Sequence, residues 1–137
     1  MQIKIVPLRL EYLIKTWDTS VEQRKSYFSD GSVAYCLLVD DIPVIAGGIV
    51  NMQWKRGEAW MLSTPFFRKH LRFSFCCARN TLVKAAKEGN FKRVQATCVT
   101  AATPSLSLFK HLNFTREGIM KSSGPNGEDC FLYARLF

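Results

Sequence analysis

Short runs of hydrophobic residues, each bounded by polar turns, dominate the first half of the chain. Runs of this kind, rich in β-branched and aromatic residues, predict β-strands. The predicted strands are Ile3–Val6, Val33–Val39, Ile42–Val50 and Glu58–Ser63. Asp40 and Asp41 separate the second run from the third, which indicates a hairpin. Gly47 and Gly48 interrupt the third run and predict a bulge or a close approach of another backbone.

Helical periodicity appears in three segments before residue 90. Leu8–Trp17 and Ser20–Phe28 are predicted helices, and the second opens with Ser20 and Gln23 in the spacing of a capping box. After Pro65 the hydrophobic residues recur at spacings of three and four, which predicts one long helix that ends at Gly89. The apolar face of this helix consists of Phe67, Leu71, Phe75, Ala78, Leu82 and Ala85.

The last third of the chain alternates between strand and helix patterns. Arg93–Val99 is a predicted strand, and Pro104–Leu112 is a predicted short helix with Thr103 as its N-cap. Two further strands follow, at Phe114–Met120 and Asp129–Leu136. The order is β-α-α-β-β-β-α-β-α-β-β. No repeat or linker interrupts this sequence, so we expect a single domain over residues 1–137, of the α/β (α+β) class with a mixed sheet.

Composition narrows the class of protein. The 137 residues are 47% hydrophobic and 22% charged, which is typical of a globular domain. The apolar runs are shorter than the roughly 20 residues of a membrane-spanning helix. Charged residues near the N-terminus argue against a secretory signal, so we expect a cytoplasmic protein without a membrane partner. The five cysteines include no C-x-x-C pair, which favours buried free thiols over a metal site or disulfides.

The net charge of +8 points to an anionic partner. Between Lys55 and Arg93 the sequence has ten basic residues and two acidic ones, Glu58 and Glu88. We therefore expect the negative charge of the partner to meet the protein in this segment.

A cluster of cations stands at the predicted start of the long helix. Arg68, Lys69 and Arg72 occupy its opening turns with His70 beside them, and no acidic residue accompanies them. A helix N-terminus already carries a partial positive charge, so each cation there costs about 0.3–1 kcal/mol. A bound polyanion would reverse the sign of that cost. The pattern therefore predicts a phosphate or pyrophosphate site, and a solvated basic surface is the alternative.

Several segments after residue 56 together resemble the GNAT superfamily of N-acyltransferases. The similarity is strongest to short GNAT-like proteins of tailed bacteriophages and prophages. The matching segments are residues 57–65, 93–96, 103–106, 108–114, 117–118 and 124–129. The predicted order of helices and strands is also that of a GNAT domain.

The resemblance implies a binding site for acetyl-CoA. The strands Glu58–Ser63 and Arg93–Val99 would splay apart to form a V-shaped slot, with the helix Pro104–Leu112 beside the thiol end. Main-chain groups of the first strand would bind the pantetheine amides, and the loop that starts at Arg68 would hold the pyrophosphate. The residues implied in cofactor binding are Leu62, Ser63, Arg68, Lys69, His70, Leu71, Arg72, Phe73, Ser74 and Phe109.

The sequence departs from the family pattern at two places. Leu71 and Phe73 occupy positions where the family has small residues that let the backbone approach the phosphates. The cationic side chains of the loop would then contribute more of the phosphate contact. Phe109 aligns with a tyrosine that often protonates the departing thiolate, and it has no hydroxyl group.

Two residues are candidates for catalysis. Glu58 is the acidic residue of the strand beside the slot, and a water molecule between it and the amine would make it the general base. Pairing of this carboxylate with Lys55 or Arg56 is the alternative. Ser105 is a candidate proton donor to the thiolate, or else a first-turn residue that bonds to the backbone. Tyr133 is a further candidate donor by analogy with the fold.

Four other residues are expected to be structural rather than functional. Trp54 and Trp60 are expected to pack inside the fold. Cys98 is expected in the core, and His111 on the surface near a helix C-terminus.

Three functions are compatible with these observations. The first is an acetyl-CoA-dependent N-acetyltransferase that acts on an amine of a small molecule or a protein, phage-encoded and active in the host cytoplasm. The second is a catalytically silent GNAT-fold protein with a structural or host-interaction role in the phage, including a place in the virion. The third is a nucleic-acid-binding or base-modifying protein, against which stands the absence of exposed aromatics between the cations. The acceptor and the oligomeric state are left open.

Overall fold

A computed structural model describes residues 1–137, except for the side chains of residues 103 and 104, so the predicted N-cap role of Thr103 lies outside the described residues. The strands form one seven-stranded sheet in the order β1-β2-β3-β4-β5-β7-β6. All neighbouring strands are antiparallel except β4 and β5. The strands are β1 Ile3–Pro7, β2 Val33–Val39, β3 Ile42–Asn51, β4 Arg56–Ser63, β5 Arg93–Val99, β6 Thr115–Met120 and β7 Cys130–Leu136. The mixed α/β class expected from the sequence is confirmed.

The two predicted N-terminal helices are present, as α1 Leu10–Thr16 and α2 Val21–Tyr27. The capping box of α2 is complete: the Gln23 backbone N–H donates to Ser20 Oγ at 3.1 Å, and the Ser20 N–H donates to Gln23 Oε1 at 2.9 Å. The predicted hairpin between β2 and β3 is also confirmed. Asp40 and Asp41 have φ values of 49° and 65°, as a two-residue turn of type I′ requires.

The single long helix predicted after Pro65 is wrong, because the chain breaks at His70. A short helix α3 spans Phe66–Lys69, and α4 spans Leu71–Glu88. In one unbroken helix, residues eight apart would lie about 12 Å from each other along the axis, too far for their rings to pack together. The break lets Phe67 and Phe75 pack together at 5.7 Å between ring centroids against one core. It also leaves Leu71, which was predicted on the buried face, 49% exposed.

The predicted end of the long helix is correct, but the left-handed residue is not the glycine. Gly89 caps α4 with a φ of −83°, and Asn90 adopts the positive φ of 53°. Asparagine tolerates this conformation better than other non-glycine residues. After β5, helix α5 spans Thr103–His111. None of the described helices is long and apolar enough to cross a membrane.

The helices cover both faces of the sheet. Helices α1 and α2 enclose one core, around Leu13, Tyr27 and Ala46. Helices α4 and α5 enclose the larger core on the opposite face, around Ile49, Val94 and Leu108. A small third cluster lies under α3. The side chains on the two faces of the sheet therefore pack against different pairs of helices.

Of two expectations about packing, one is confirmed and the other needs correction. At Gly48 the close approach is confirmed, because an added Cβ would collide with the Val33 carbonyl oxygen. The irregularity of the β2–β3 pair lies instead opposite Leu37 and Leu38 of β2, where Val44 is the extra residue of β3. Trp54 does not pack inside the fold: it lies in the β3–β4 turn, 82% exposed. Its indole is covered only by the Arg56 guanidinium, 5.3 Å from the ring centroid.

Candidate active site

Strands β4 and β5 separate in the middle of the sheet. Their parallel pairing covers three residue pairs and ends at Glu58 and Gln95. Beyond this point β4 stays paired with β3, and β5 stays paired with β7. Residues 59–63 and residues 96–99 thus border an opening in the sheet, which we call the slot. The splayed strands implied by the resemblance are present.

A cavity of about 270 Å³ adjoins the slot on the face covered by α4 and α5. Its walls at the slot come from Ala59 of β4, Cys98 of β5, and Ser105 and Phe109 of α5. Side chains alternate along a strand, so Gly57 and Ala59 face α4 and α5 whereas Glu58 and Trp60 face α1 and α2. The slot therefore borders both faces of the sheet, with the cavity on one face and Glu58 on the other.

The backbone groups of β4 that point into the slot can be assigned from the ladder with β3. Thr64 lies opposite Val44, and its N–H donates to the Val44 carbonyl at 3.1 Å. Hydrogen-bonded pairs alternate along an antiparallel ladder, so the N–H and C=O of Leu62 are bonded to β3. The main-chain groups of Ala59, Met61 and Ser63 point the other way, toward the slot.

This register corrects one of the two main-chain assignments. Leu62, which was expected to offer its main chain to pantetheine, has it engaged in the sheet, and the main-chain groups that face the slot beside it are those of Met61. Ser63 does face the slot, but its carbonyl oxygen already accepts a hydrogen bond from Trp17 Nε1 at 3.0 Å. The spacing of residues along one strand cannot reveal this alternation, because the neighbouring strand decides it.

The predicted cations come together where the chain passes from β4 into α4. Arg68 and Lys69 end α3, and Arg72 lies in the first turn of α4; we call these three residues the basic rim. All three are exposed, and none of the salt bridges found among the described side chains involves them. Helix α4 has no acidic residue in its first turn and no side-chain cap at His70. Its N-terminal N–H groups and the rim thus present uncompensated positive charge.

Leu71 and Phe73, the two large residues of the loop, lie in different environments. Phe73 packs against the small core of Leu37, Val44 and Ile45, and its ring meets Phe66 edge-on at 6.2 Å. Leu71 is half exposed. His70 is exposed and its ring lies 4.4 Å from that of Phe66.

Ser74 is the unusual residue of α4. It is 0% exposed and lines the cavity, yet its hydroxyl has no hydrogen-bond partner. A buried hydroxyl without a partner destabilises the fold by about 1–3 kcal/mol. A ligand carbonyl in the cavity would remove this cost by accepting its proton. Sequence analysis placed Ser74 with the loop, but nothing in the sequence indicated that it is buried and unpaired.

Glu58 lies at the apex of the slot, on the face of α1 and α2. It is partly buried, opposite Val50 of β3 and Gln95 of β5. Among the described side chains it forms no salt bridge, so the alternative pairing with Lys55 or Arg56 is not seen. On the same face Trp60 stacks on Tyr27 with 3.6 Å between ring centroids. The packing role expected for Trp60 is confirmed.

Helix α5 borders the cavity at the slot, where the resemblance implies the thiol end of the cofactor. Ser105 and Phe109 are one helical turn apart and both line the cavity. Phe109 stacks on Tyr133, the further candidate donor, at 4.6 Å between ring centroids, and Tyr133 is buried. Burial raises the pKa of the Cys98 thiol, and a hydrogen bond with the Ser105 side chain offsets part of that effect. Cys98 is thus a buried neutral thiol, as expected.

Comparison with solved structures identifies the fold. The structure superposes on a GNAT-family acetyltransferase from Bacillus anthracis with a TM-score of 0.65 and 24% identity, over 75% of this chain and 65% of that one. Ribosomal-protein-S5-alanine acetyltransferase from Vibrio fischeri gives 0.77 at 11% identity, over 99% and 93%. The chain has the GNAT fold.

A third GNAT structure agrees. The superposition on mutant forms of the spermidine/spermine N-acetyltransferase SpeG from Vibrio cholerae gives a TM-score of 0.76 at 12% identity, over 98% of this chain and 95% of that chain. No protein-family model and no curated protein matches the sequence. The GNAT assignment therefore rests on the arrangement of strands and helices.

Proposed function

We propose that this protein is an N-acetyltransferase that uses acetyl-CoA to modify an amine of a small molecule or a protein. The observation that carries the proposal is the slot, where β4 and β5 part after Glu58 and Gln95 beside a cavity. The resemblance to short phage proteins, drawn from the sequence, extends the proposal to a phage-encoded enzyme of the host cytoplasm.

The residues on the α4 and α5 face suit a CoA thioester. The basic rim and the N–H groups at the start of α4 would hold the phosphates, because both provide positive charge without an internal partner. Slot-facing main-chain groups of Met61 and Ser63 would bond to the pantetheine amides. The unpartnered Ser74 hydroxyl supplies a donor inside the cavity. When bound, the thioester supplies an acetyl group activated for attack by nitrogen.

The opposite face suits the amine. Glu58 would accept the proton that the amine must lose, directly or through one water molecule. Its separation from the rim by the sheet keeps the carboxylate away from the phosphate charges. Ser105 would give a proton to the departing sulfur, since Phe109 cannot. A thiol with a pKa near 8.5 is in any case a tolerable leaving group.

The test is a calorimetric titration of the protein with acetyl-CoA and with acetyl-pantetheine, which lacks the nucleotide diphosphate. We expect acetyl-CoA to bind and acetyl-pantetheine to bind far more weakly. Replacement of Arg68, Lys69 and Arg72 by Gln should weaken acetyl-CoA binding at least tenfold, or about 1.4 kcal/mol. The matched control replaces Lys15, Lys25 and Lys87, which are exposed lysines elsewhere, and should change little.

The same protein is then assayed for CoA release with spermidine, a peptide with a free N-terminus and an aminoglycoside. Binding of acetyl-CoA without release in any of these reactions would favour the catalytically silent protein. Absence of acetyl-CoA binding, together with binding of duplex DNA that weakens steeply with salt, would favour the nucleic-acid function.

A further inference from the structure

The cavity is larger than the slot and continues beneath α4. Beyond β4 it extends over β3 and β2, where its floor is Leu37, Ile45, Gly47 and Ile49 and its roof is Ala78 and Leu82 of α4. We call this part the chamber. Strands lie about 4.8 Å apart, so the chamber reaches about 10 Å sideways from β4.

Small residues keep the chamber open. A Cβ added at Gly47 would meet the Trp60 carbonyl oxygen at 3.0 Å and Met61 atoms at 3.7 and 3.8 Å, and no atom of α4 lies closer than these. Ala59 of β4 and Ala78 of α4 likewise project only a methyl group into the space. The roof is thus held off the floor at the point where the chamber joins the slot.

The floor of the chamber is apolar and buried. Ile49 is 0% exposed, and Leu37 and Ile45 are 5% and 9% exposed. Protein interiors are close-packed and have few voids larger than a water molecule. Apolar cavities stay dry and bind apolar molecules. An apolar ligand is therefore the occupant that suits these walls.

The chamber is continuous with the slot past Ala59, and its far end reaches Ile5 of the edge strand β1, which is 44% exposed. A ligand there is best explained as the continuation of the molecule held in the slot. An acetyl group ends one carbon beyond the thioester carbonyl and would leave the chamber empty, whereas a longer hydrocarbon chain would cross Ala59 and lie over Gly47.

We propose that the chamber binds the acyl chain of a medium-chain acyl-CoA, of about four to eight carbons on the reach given by the strand spacing. This inference rests on the proposed function, because it takes the CoA thioester to occupy the slot. On this inference the group that the protein prefers to transfer is a longer acyl group and not acetyl. The bonds that form and break are unchanged: the acyl C–S bond breaks and a C–N bond to the amine forms.

The experiment is calorimetry with CoA, acetyl-CoA, butyryl-CoA, hexanoyl-CoA and octanoyl-CoA. Each buried methylene should tighten binding about fourfold, which corresponds to about 0.8 kcal/mol, until the chamber is full. Hexanoyl-CoA should therefore bind at least tenfold more tightly than acetyl-CoA. If acetyl-CoA binds and hexanoyl-CoA binds no better, the chamber is not an acyl site, although the proposed function stands. If no thioester binds, both proposals fail.

A substitution locates the chain within the fold. Ala78→Leu places three more carbons in the chamber and should lower the ratio of hexanoyl-CoA to acetyl-CoA affinity at least fivefold. Val83→Leu adds bulk on the same helix at a residue that is 42% exposed, and should leave the ratio unchanged. An unchanged ratio in folded Ala78→Leu would place the chain elsewhere and overturn the proposal. If Ala78→Leu does not fold, the chain-length series on the unmodified protein still decides.

Discussion

At the scale of single residues, Glu58 and Ser74 stand on opposite faces of the sheet and have opposite kinds of role. Glu58 has a carboxylate at the apex of the slot without a salt-bridge partner among the described side chains. Ser74 has a hydroxyl sealed in the cavity without an acceptor. Each group thus lacks a partner among the described side chains, which is typical of polar groups in sites where a ligand supplies the partner.

Glu58→Gln should lower kcat for acyl transfer by about 10²–10⁴, because the amide cannot take a proton from the amine. The affinity for acetyl-CoA should stay near that of the unmodified protein, since Glu58 lies on the other face of the sheet. The measurement is CoA release with an amine that the screen identifies, together with calorimetry. Glu22→Gln makes the same chemical change on α2, and retention of full turnover by Glu58→Gln would remove it from the mechanism.

Ser74→Ala should stabilise the ligand-free protein by about 1 kcal/mol, because it deletes a buried hydroxyl that has no partner. The same change should weaken acetyl-CoA binding severalfold, since a donor in the cavity is lost. Urea denaturation and calorimetry measure the two effects. Ser107→Ala, at an exposed position of α5, controls for the higher helix propensity of alanine. A fall in stability of Ser74→Ala would show that the hydroxyl is bonded in solution.

At the scale of secondary-structure elements, one hydrogen bond ties the end of α4 to β2. The Tyr35 hydroxyl donates to the Glu88 carboxylate, and the Lys84 ammonium lies 4.7 Å from the centroid of the Tyr35 ring. Helix α4 is also the roof of the chamber. This bond therefore holds the C-terminal part of the roof in place on the sheet.

The bond with Glu88, together with burial, raises the pKa of Tyr35 from 10.0 to about 12. The folded state thus holds this proton more tightly than the unfolded chain does. The stabilisation is complete below pH 10 and is lost as the pH rises toward 12. Tyr35→Phe should cost about 1.5 kcal/mol at neutral pH, and its deficit should shrink above pH 10. Urea denaturation between pH 7 and 11.5 tests this.

Tyr12→Phe supplies the matched control for that series. Tyr12 packs at the edge of the α1 and α2 core, and no hydrogen bond of its hydroxyl is found among the described side chains. A deficit of Tyr35→Phe that does not change with pH would contradict the bond with Glu88.

At the scale of the whole molecule, the five free cysteines differ in exposure and in whether they line the cavity. Cys76 is exposed, whereas Cys98 is buried in the cavity wall and Cys77 is intermediate. Burial raises the pKa of both Cys77 and Cys98, which lowers the thiolate fraction at neutral pH. The rates at which a thiol reagent modifies Cys77 and Cys98 should therefore depend on whether a ligand fills the cavity.

In the native protein a thiol reagent should modify Cys76 rapidly and Cys98 only slowly. Saturating acetyl-CoA should slow the modification of Cys77 and Cys98 further, because both line the cavity, and should not affect Cys76. Peptide mass spectrometry over time measures each rate. Equal rates at Cys76 and Cys98 would contradict the burial of the cavity wall.

Local pattern was sufficient for most of the elements. The capping box at Ser20, the turn at Asp40 and Asp41, and the positions of the seven strands follow from interactions between residues close in sequence. The cluster of cations at the start of α4 could also be found this way, because the sign of charge against a helix N-terminus is a local property. For the same reason the basic rim is where the sequence indicated.

Non-local packing decided the rest. The break at His70 brings the ring of Phe67 against that of Phe75, a contact between residues that one straight helix would hold apart. Whether Met61 or Leu62 directs its main-chain groups into the slot depends on how β3 is bonded to β4. The exposure of Trp54 depends on which elements pack over the β3–β4 turn. The slot exists because β4 and β5 separate after Glu58 and Gln95. The chamber beside it, with the unpaired Ser74 hydroxyl in its wall, exists because α4 packs over small residues of the sheet. Sequence alone determined the strands and the place where positive charge gathers, because both depend on neighbouring residues; the packing of distant elements decided where the long helix breaks and which atoms face the site.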